Sequence, residues 1–322
     1  IKSIDRGPKR KIEKIIIEAS DTQKSVSHSV TNWDKKTRDE LKILLMKSGN
    51  WPYIHQRPYG TMANPLDIPK AIFVSTVKTD PLEGDMQFIL KDKQKQFQLG
   101  IDLLNKLVDQ NVFLGIEKSF SGYFKSIERV QHYTIQGPHP VGNISLHIQK
   151  ICPLNMGEKV WTVNAEDVVN LGEFITTGTF SPIRTVAVSG NSVEKPRYFQ
   201  TIIGSELKSI LTKAGIKNID DRVINGNVLT GSMSYLSDHL SYFNNLISVI
   251  PEGNNYRMFG WLPFKDNNIM SLSNTSFSRI FNRKGFEVNT NLNGEERALV
   301  VTGEMEKFFP FDIYPMQLLK AC

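Results

Sequence analysis

Apolar positions along the 322-residue chain change period several times, and each change predicts an element. The opening IKSIDRGPKRKIEKIIIEA (1–19) reads strand, turn, strand around Gly7-Pro8, as the last hairpin of a β domain. A polar stretch, SDTQKSVSHSVTNW, follows as a linker. In DKKTRDELKILLMKSG, Leu41, Leu44 and Leu45 share one face of an amphipathic helix that Gly49 stops. From about residue 67 strand and helix patterns alternate. KAIFVSTV (70–77) has the few polar residues of a strand buried on both faces. In 93–110, Phe97, Ile101, Leu104 and Val108 fall at helical spacing. NVFLGIE (111–117) and RVQHYTIQ (129–136) are further strands, and NISLHIQKI (143–151) is a helix. KVWTV (159–163) is a strand, and NAEDVVNLGEFITTG (164–178) a helix with Asn164 as N-cap and Asp167 as reciprocal capping partner. RTVAVSG (184–190) closes the run. This alternation predicts an α/β fold with an open, mostly parallel sheet and a crevice at the strand C-termini.

After Pro196 the pattern changes. Residues 198–216 read strand, glycine turn, helix. RVINGNVLTGSM (222–233) reads as a short β segment punctuated by Gly226 and Gly231, and LISVIPEG (246–253) as a strand. These predict a small α+β module. Beyond it lie the β runs YRMFGW and RALVVTG and a helix start at YPMQLLKA.

Composition excludes several classes. Charged residues are 22% and net charge is +6, too diffuse to predict a nucleic-acid partner. The densest basic run, RGPKRKIEK (6–14), reads as a solvated hairpin face, with acidic protein or anionic lipid headgroups as the alternative partners. Cys152 and Cys322 cannot supply four thiolates to zinc or to an iron–sulfur cluster. No apolar run approaches the roughly 20 residues of a membrane span, so membrane association is expected to be peripheral or through a partner. The chain starts without Met inside a strand pattern and stops at LLKAC, so it reads as a piece of a longer protein.

The stretch GPHPVGNISLH (137–147) has the strand–loop–helix layout of a phosphate-binding turn. Its residue types do not fit. Gly142 is followed by Asn143 and Ile144, where Walker chemistry needs Lys and Ser/Thr, and no GxGxxG exists. His139 and His147 have no carboxylate or thiolate at ligand spacing, so no metal is expected. No GxSxG elbow is present. Gly137, His139, Gly142 and Asn143 therefore mark a cofactor-type loop without cofactor-specific residues. The oddest chemistry is in NWPYIHQRPYG (50–60). There Trp51, Tyr53, His55, Arg57 and Tyr59 crowd between a helix and the first parallel strand. Aromatic faces with an Arg and a His can sandwich a planar ring and donate to its oxygens. The same residues can instead pack a connecting segment onto the sheet.

Many short runs in order resemble one family. They are RGPKR, HQRPYG, PKAIFVST with a following DPL, FQLGIDLLNKL, GPHPVGN, VWTVNAEDVVNLGEFITTG and VAVSG. KPRY, NGNVLTG, VIPEG, MFGW, LNGEERALV and FPFDIYPMQLLKA follow. Together they resemble the A subunit of the bacterial sodium-translocating NADH:quinone reductase, over essentially the whole chain. The resemblance implies a domain plan. Residues 1–20 would be a remnant of a biotinyl/lipoyl-like barrel-sandwich domain, 21–66 a linker and helix, and 67–190 a Rossmann-like domain similar to the flavoprotein subunit of respiratory complex I. Residues 191–254 would be an SLBB β-grasp module and 255–322 a C-terminal β/α segment. It implies a peripheral subunit on the cytoplasmic face of the bacterial inner membrane, partnered by the other subunits of the complex, especially the membrane-embedded quinone/flavin subunit. It implies a part in reduction of ubiquinone to ubiquinol coupled to Na+ export, with no FMN, NAD or Fe–S centre on this chain. Ubiquinone is the expected ligand. His55 and Arg57 are the expected carbonyl donors, and Trp51, Tyr53 and Tyr59 the expected ring-stacking walls. A structural adaptor, with quinone held wholly by membrane partners, is the alternative.

Overall fold

A computed structural model of the chain describes residues 1–19, 24–119, 122–254 and 298–322, with isolated residues between 280 and 296. Strands β1 (Ser3–Arg6) and β2 (Ile12–Ile16) pair antiparallel as a separate hairpin. Helix α1 (Arg38–Lys47) starts at a capping box. The Thr37 side chain accepts from the Glu40 backbone N–H, and the Glu40 carboxylate accepts from that of Thr37. Gly49, at φ +79°, follows its last turn, and Leu41 and Leu45 are buried, as their spacing predicts.

The first sheet has six strands in the order β4-β3-β8-β5-β6-β7. They are β3 (His55–Arg57), β4 (Thr61–Met62), β5 (Ala71–Ser75), β6 (Asn111–Glu117), β7 (Gln131–Ile135) and β8 (Val160–Asn164). The four strands β7, β6, β5 and β8 run parallel, while β3 joins β8 antiparallel. Alternation along β5 explains its apolar run. Ile72 and Val74 enter the core that contains α3 (Gln94–Leu107) and α5 (Ala165–Thr177). Ala71 and Phe73 enter a second core under α4 (Ile144–Ile151). Helices α3 and α5 approach so closely that a Cβ on Gly100 would stand 2.0 Å from the Val168 carbonyl oxygen, and one on Gly172 1.8 Å from that of Gln96. A short helix, α2 (Met86–Ile89), lies between β5 and α3.

The second sheet has the order β10-β9-β13-β11-β12. It comprises β9 (Ile183–Ser189), β10 (Arg197–Ile202), β11 (Arg222–Asn225), β12 (Ser232–Ser234) and β13 (Leu246–Ile250). Helix α6 (Leu207–Ala214) buries Leu207, Ile210 and Leu211 against Val186, Val188, Ile247 and Val249 of this sheet. This is the small α+β module.

The local structure departs from expectation in three places. RTVAVSG, expected to close the parallel sheet, instead lies in the second sheet, antiparallel to β10 and parallel to β13. A buried strand carries the same apolar signature in either sheet, so pattern alone cannot assign it. Asn164 stands at the N-cap of α5 but makes no side-chain capping bond. Asp167 accepts instead from the Asn164 Nδ2 at 3.3 Å and from Arg184 at 2.7 Å. The run RALVVTG forms no strand among its described residues, and YRMFGW lies outside them. The helix start at YPMQLLKA is a helix over Pro315–Ala321.

Candidate functional site

The glycine-rich turn after β7 is braced by contacts within the protein. The Gly142 N–H donates to Thr79 Oγ1 at 3.0 Å, and that oxygen lies 3.2 Å from His139 Nδ1. A Cβ on Gly142 would meet Thr79 Oγ1 at 2.7 Å, so glycine there admits Thr79. Gly137, at φ +143°, opens the turn. Within it, Val141 and Asn143 donate backbone N–H groups to the Pro138 and Pro140 carbonyls. Asn143 is the N-cap of α4 and makes no side-chain cap. His147 braces the turn from the helix, with Nε2 2.7 Å from the Val141 carbonyl and Nδ1 2.9 Å from the Tyr133 hydroxyl. Burial lowers the His147 pKa, which keeps the ring neutral for this bracing role. Among the described residues no group of three or more His, Cys, Asp or Glu side chains is arranged to hold a metal ion.

The five residues singled out at 50–60 separate. Trp51 and Tyr53 are buried, at 3% and 0% exposure, so neither offers an open ring face. Trp51 packs edge-on to Trp161 at 5.5 Å and donates its indole N–H to the Ala63 carbonyl. The packing reading therefore describes Trp51. Arg57 is half-buried, and Tyr59 is 76% exposed. Tyr53 and His55 join a row of rings that the sequence does not advertise. Tyr53 stacks on Phe180 at 6.1 Å and tilts against Tyr242 at 6.3 Å. Tyr242 meets Phe243 at 4.8 Å, and Phe243 meets His55 edge-on at 4.7 Å. Burial lowers the His55 pKa and favours a neutral imidazole.

The row lies along a buried polar seam between the two sheets. Arg184 of β9 crosses to Asp167 of α5 with Nη1–Oδ1 at 2.7 Å, and the side chains are 3% and 0% exposed. The Arg184 guanidinium also sits 5.2 Å from the centre of the Tyr53 ring. Burial alone would lower the Arg184 pKa, but Asp167, with Tyr53 and Glu166, more than offsets it. Beside this pair, burial raises the Glu166 pKa, and Asn245 Nδ2 donates to its carboxyl at 2.8 Å. Lys78 Nζ donates in turn to Asn245 Oδ1 at 3.0 Å.

Two cavities open on this junction. The larger, about 1190 Å³, is a cleft at the ends of α1 and α5, lined by His28, Met46, Glu173, Phe180, Pro182 and Tyr242 among others. Its Phe180 and Tyr242 are the rings that pack against Tyr53. None of Trp51, Arg57 or Tyr59 lines it. The smaller, about 300 Å³, is walled by Lys78, Glu83, Asn164, Asn244, Phe243 and neighbouring residues. Sequence patterns do not single out Phe180, Tyr242 and His28. They lie far apart along the chain, and nothing local marks them as neighbours.

The family described as the NqrA second alpha/beta domain matches residues 36–180, and that described as the NQRA C-terminal domain matches residues 185–234. The A subunit of the Na(+)-translocating NADH-quinone reductase of Neisseria meningitidis serogroup B is 31% identical over 324 residues, covering 99% of this chain and 72% of that protein. Its counterpart in Photorhabdus laumondii is 32% identical over 322 residues, covering 99% and 71%. Among solved structures, an air-oxidized NAD+-reducing [NiFe]-hydrogenase aligns with 70% of this chain and 51% of its own, at 13% identity and TM-score 0.46. On the two family matches and the relatives that run through almost all of its length, the chain belongs to the NqrA family, the A subunits of the Na(+)-translocating NADH-quinone reductase, and is thus part of an oxidoreductase complex.

Proposed function

We propose that the chain contributes to ubiquinone binding in the sodium-pumping complex, and that the quinone ring enters the cleft over Phe180 and Tyr242. The observation that carries this reading is the aromatic row, two of whose rings, Phe180 and Tyr242, line a cleft of about 1190 Å³. A flat quinone gains stacking of about 0.5–1.5 kcal/mol per well-placed aromatic ring beyond simple burial. His28 lines the same cleft and supplies an N–H for a carbonyl that gains negative charge on reduction. Tyr53 and His55 serve as backing for the row. Trp51, Arg57 and Tyr59 do not line the cleft, and the quinone contacts proposed for it are residues 28, 180 and 242.

The rest of the reading follows the same line. Redox centres and NADH would sit on other subunits, since Thr79 occupies the turn that would otherwise approach a phosphate. The chain would dock as a peripheral subunit on the cytoplasmic face of the bacterial inner membrane, against the membrane-embedded quinone/flavin subunit. Among the described residues no helix is long and apolar enough to cross a membrane. Residues 1–20 would belong to a barrel-sandwich domain, and residues 191–254 would form the SLBB module, with β9 now added to it.

The test is steady-state kinetics of the assembled complex carrying Phe180→Ala or Tyr242→Ala. The expected result is about a tenfold higher KM for a short-chain ubiquinone, equivalent to about 1.4 kcal/mol, with unchanged NADH oxidation by an artificial acceptor. Wild-type quinone kinetics in both variants would leave the chain as a structural adaptor.

A further inference from the structure

The smaller cavity lies where an open α/β sheet is expected to bind ligands. From β5 the chain builds outward through β6 and β7, then returns to place β8 on the other side of β5. The β5/β8 boundary is therefore the topological switch point, and the crevice outside the C-terminal ends of those strands is the usual ligand position. Lys78, just beyond β5, and Asn164, the last residue of β8, both line the cavity. The second module supplies the rest of its lining, with residues 225–227, 230–232 and 243–246. This site shares no residue with the aromatic cleft.

The lining defines what fits. Lys78 is paired with Glu83 at 3.3 Å and with Asn245 at 3.0 Å, so the one cationic and the one acidic side chain of the wall, among the described residues, offset each other. An anion would face Glu83, and a cation would face Lys78. The rest of the polar wall is uncharged. Asn164 and Asn244 use only their Nδ2 groups, and Asn227 only its Oδ1, in hydrogen bonds among the described residues. That leaves two carboxamide oxygens as acceptors and one carboxamide nitrogen as donor. Phe243 supplies an aromatic wall. A volume of about 300 Å³ is at the lower end of small-molecule pockets, too small for a dinucleotide.

We infer that this switch-point cavity is a binding site for a small neutral polyol of pentose size. Its hydroxyls exchange hydrogen bonds with the asparagines, and its C–H face lies on Phe243. The ligand touches both modules, so its binding stiffens the junction between them.

The experiment is saturation-transfer NMR on the purified chain with D-ribose, D-glucose and glycerol as probes, beside inorganic phosphate and sodium chloride followed by phosphorus and sodium NMR line widths. It is repeated on Ser232→Trp and Asn164→Leu. Ser232 is exposed on the edge strand β12, so the Trp variant fills the mouth without disturbing the core. The expected result is saturable ribose binding that weakens at least tenfold in both variants, with the Tm of Ser232→Trp unchanged without ligand. If Asn164→Leu fails to fold, Ser232→Trp alone decides. No saturable signal from any polyol would overturn the inference and leave a water-filled cavity. So would polyol binding that survives both variants, or saturable phosphate or sodium binding that the variants abolish.

Discussion

The glycine turn at 137–143 and the cleft beside Tyr242 distribute their contact groups in opposite ways. In the turn, the Gly142 amide donates to Thr79, and His147 ties the loop to its own helix. In the cleft, Phe180 and Tyr242 each back onto Tyr53 and also line about 1190 Å³ of open space. A loop can keep the layout of a ligand site while its hydrogen bonds are satisfied internally. A site with no local layout can arise where rings from distant segments meet.

The largest expected effect comes from the buried Arg184–Asp167 pair. Arg184→Met leaves Asp167 buried without its cationic partner and should cost about 3–5 kcal/mol in urea unfolding. Adding Asp167→Leu should restore most of that loss. If the single and double variants are equally unstable, the pair is not what joins the sheets. Next, Tyr242→Ala should weaken quinone binding about tenfold. The turn variant Thr79→Ala should leave quinone binding at its wild-type value, which separates the two regions directly. Thr79→Ala itself should cost about 1 kcal/mol for the lost hydrogen bond to Gly142. It should not create FMN or NADH binding. Saturable FMN binding in that variant would mean that Thr79 alone blocks a competent cofactor loop.

The smallest effect is on pH dependence. Burial raises the Glu166 pKa, so the folded protein holds this proton at pH values where the unfolded chain has released it. Stability from this group therefore falls as pH rises from the ordinary glutamate value toward the raised one, and is flat above it. Glu166→Gln keeps an acceptor for Asn245 and should remove that slope in urea midpoints measured from about pH 4 to pH 8. An unchanged slope would show that Glu166 ionises in the fold as it does in the open chain.

Much of the fold is legible in the chain because burial writes periodic patterns. Helix α1 appears through Leu41 and Leu45, and α3 through Phe97, Ile101 and Leu104, all buried as their spacing predicts. Strand β5 appears as an apolar run because helices cover both its faces. Pattern fails where two structures produce the same signature. β9 is as apolar as a parallel-sheet strand, and only its pairing with β10 and β13 assigns it to the second module. Asp167 follows Asn164 at capping spacing, but its stronger partner, Arg184, is supplied by the other sheet. The segment 50–60 is conspicuous for its ring content, yet most of that content serves packing. The cleft is invisible in the sequence because His28, Met46, Phe180 and Tyr242 belong to four segments brought together by tertiary structure alone.

The most direct measurement is calorimetric titration of this chain with a short-tail, water-soluble ubiquinone, beside NADH and FMN, for the wild type and Tyr242→Ala. Saturable micromolar quinone binding that weakens about tenfold in the variant, with no heat from either nucleotide, is the predicted result. Quinone binding that ignores Tyr242→Ala, or saturable binding of FMN or NADH by the wild type, would contradict it.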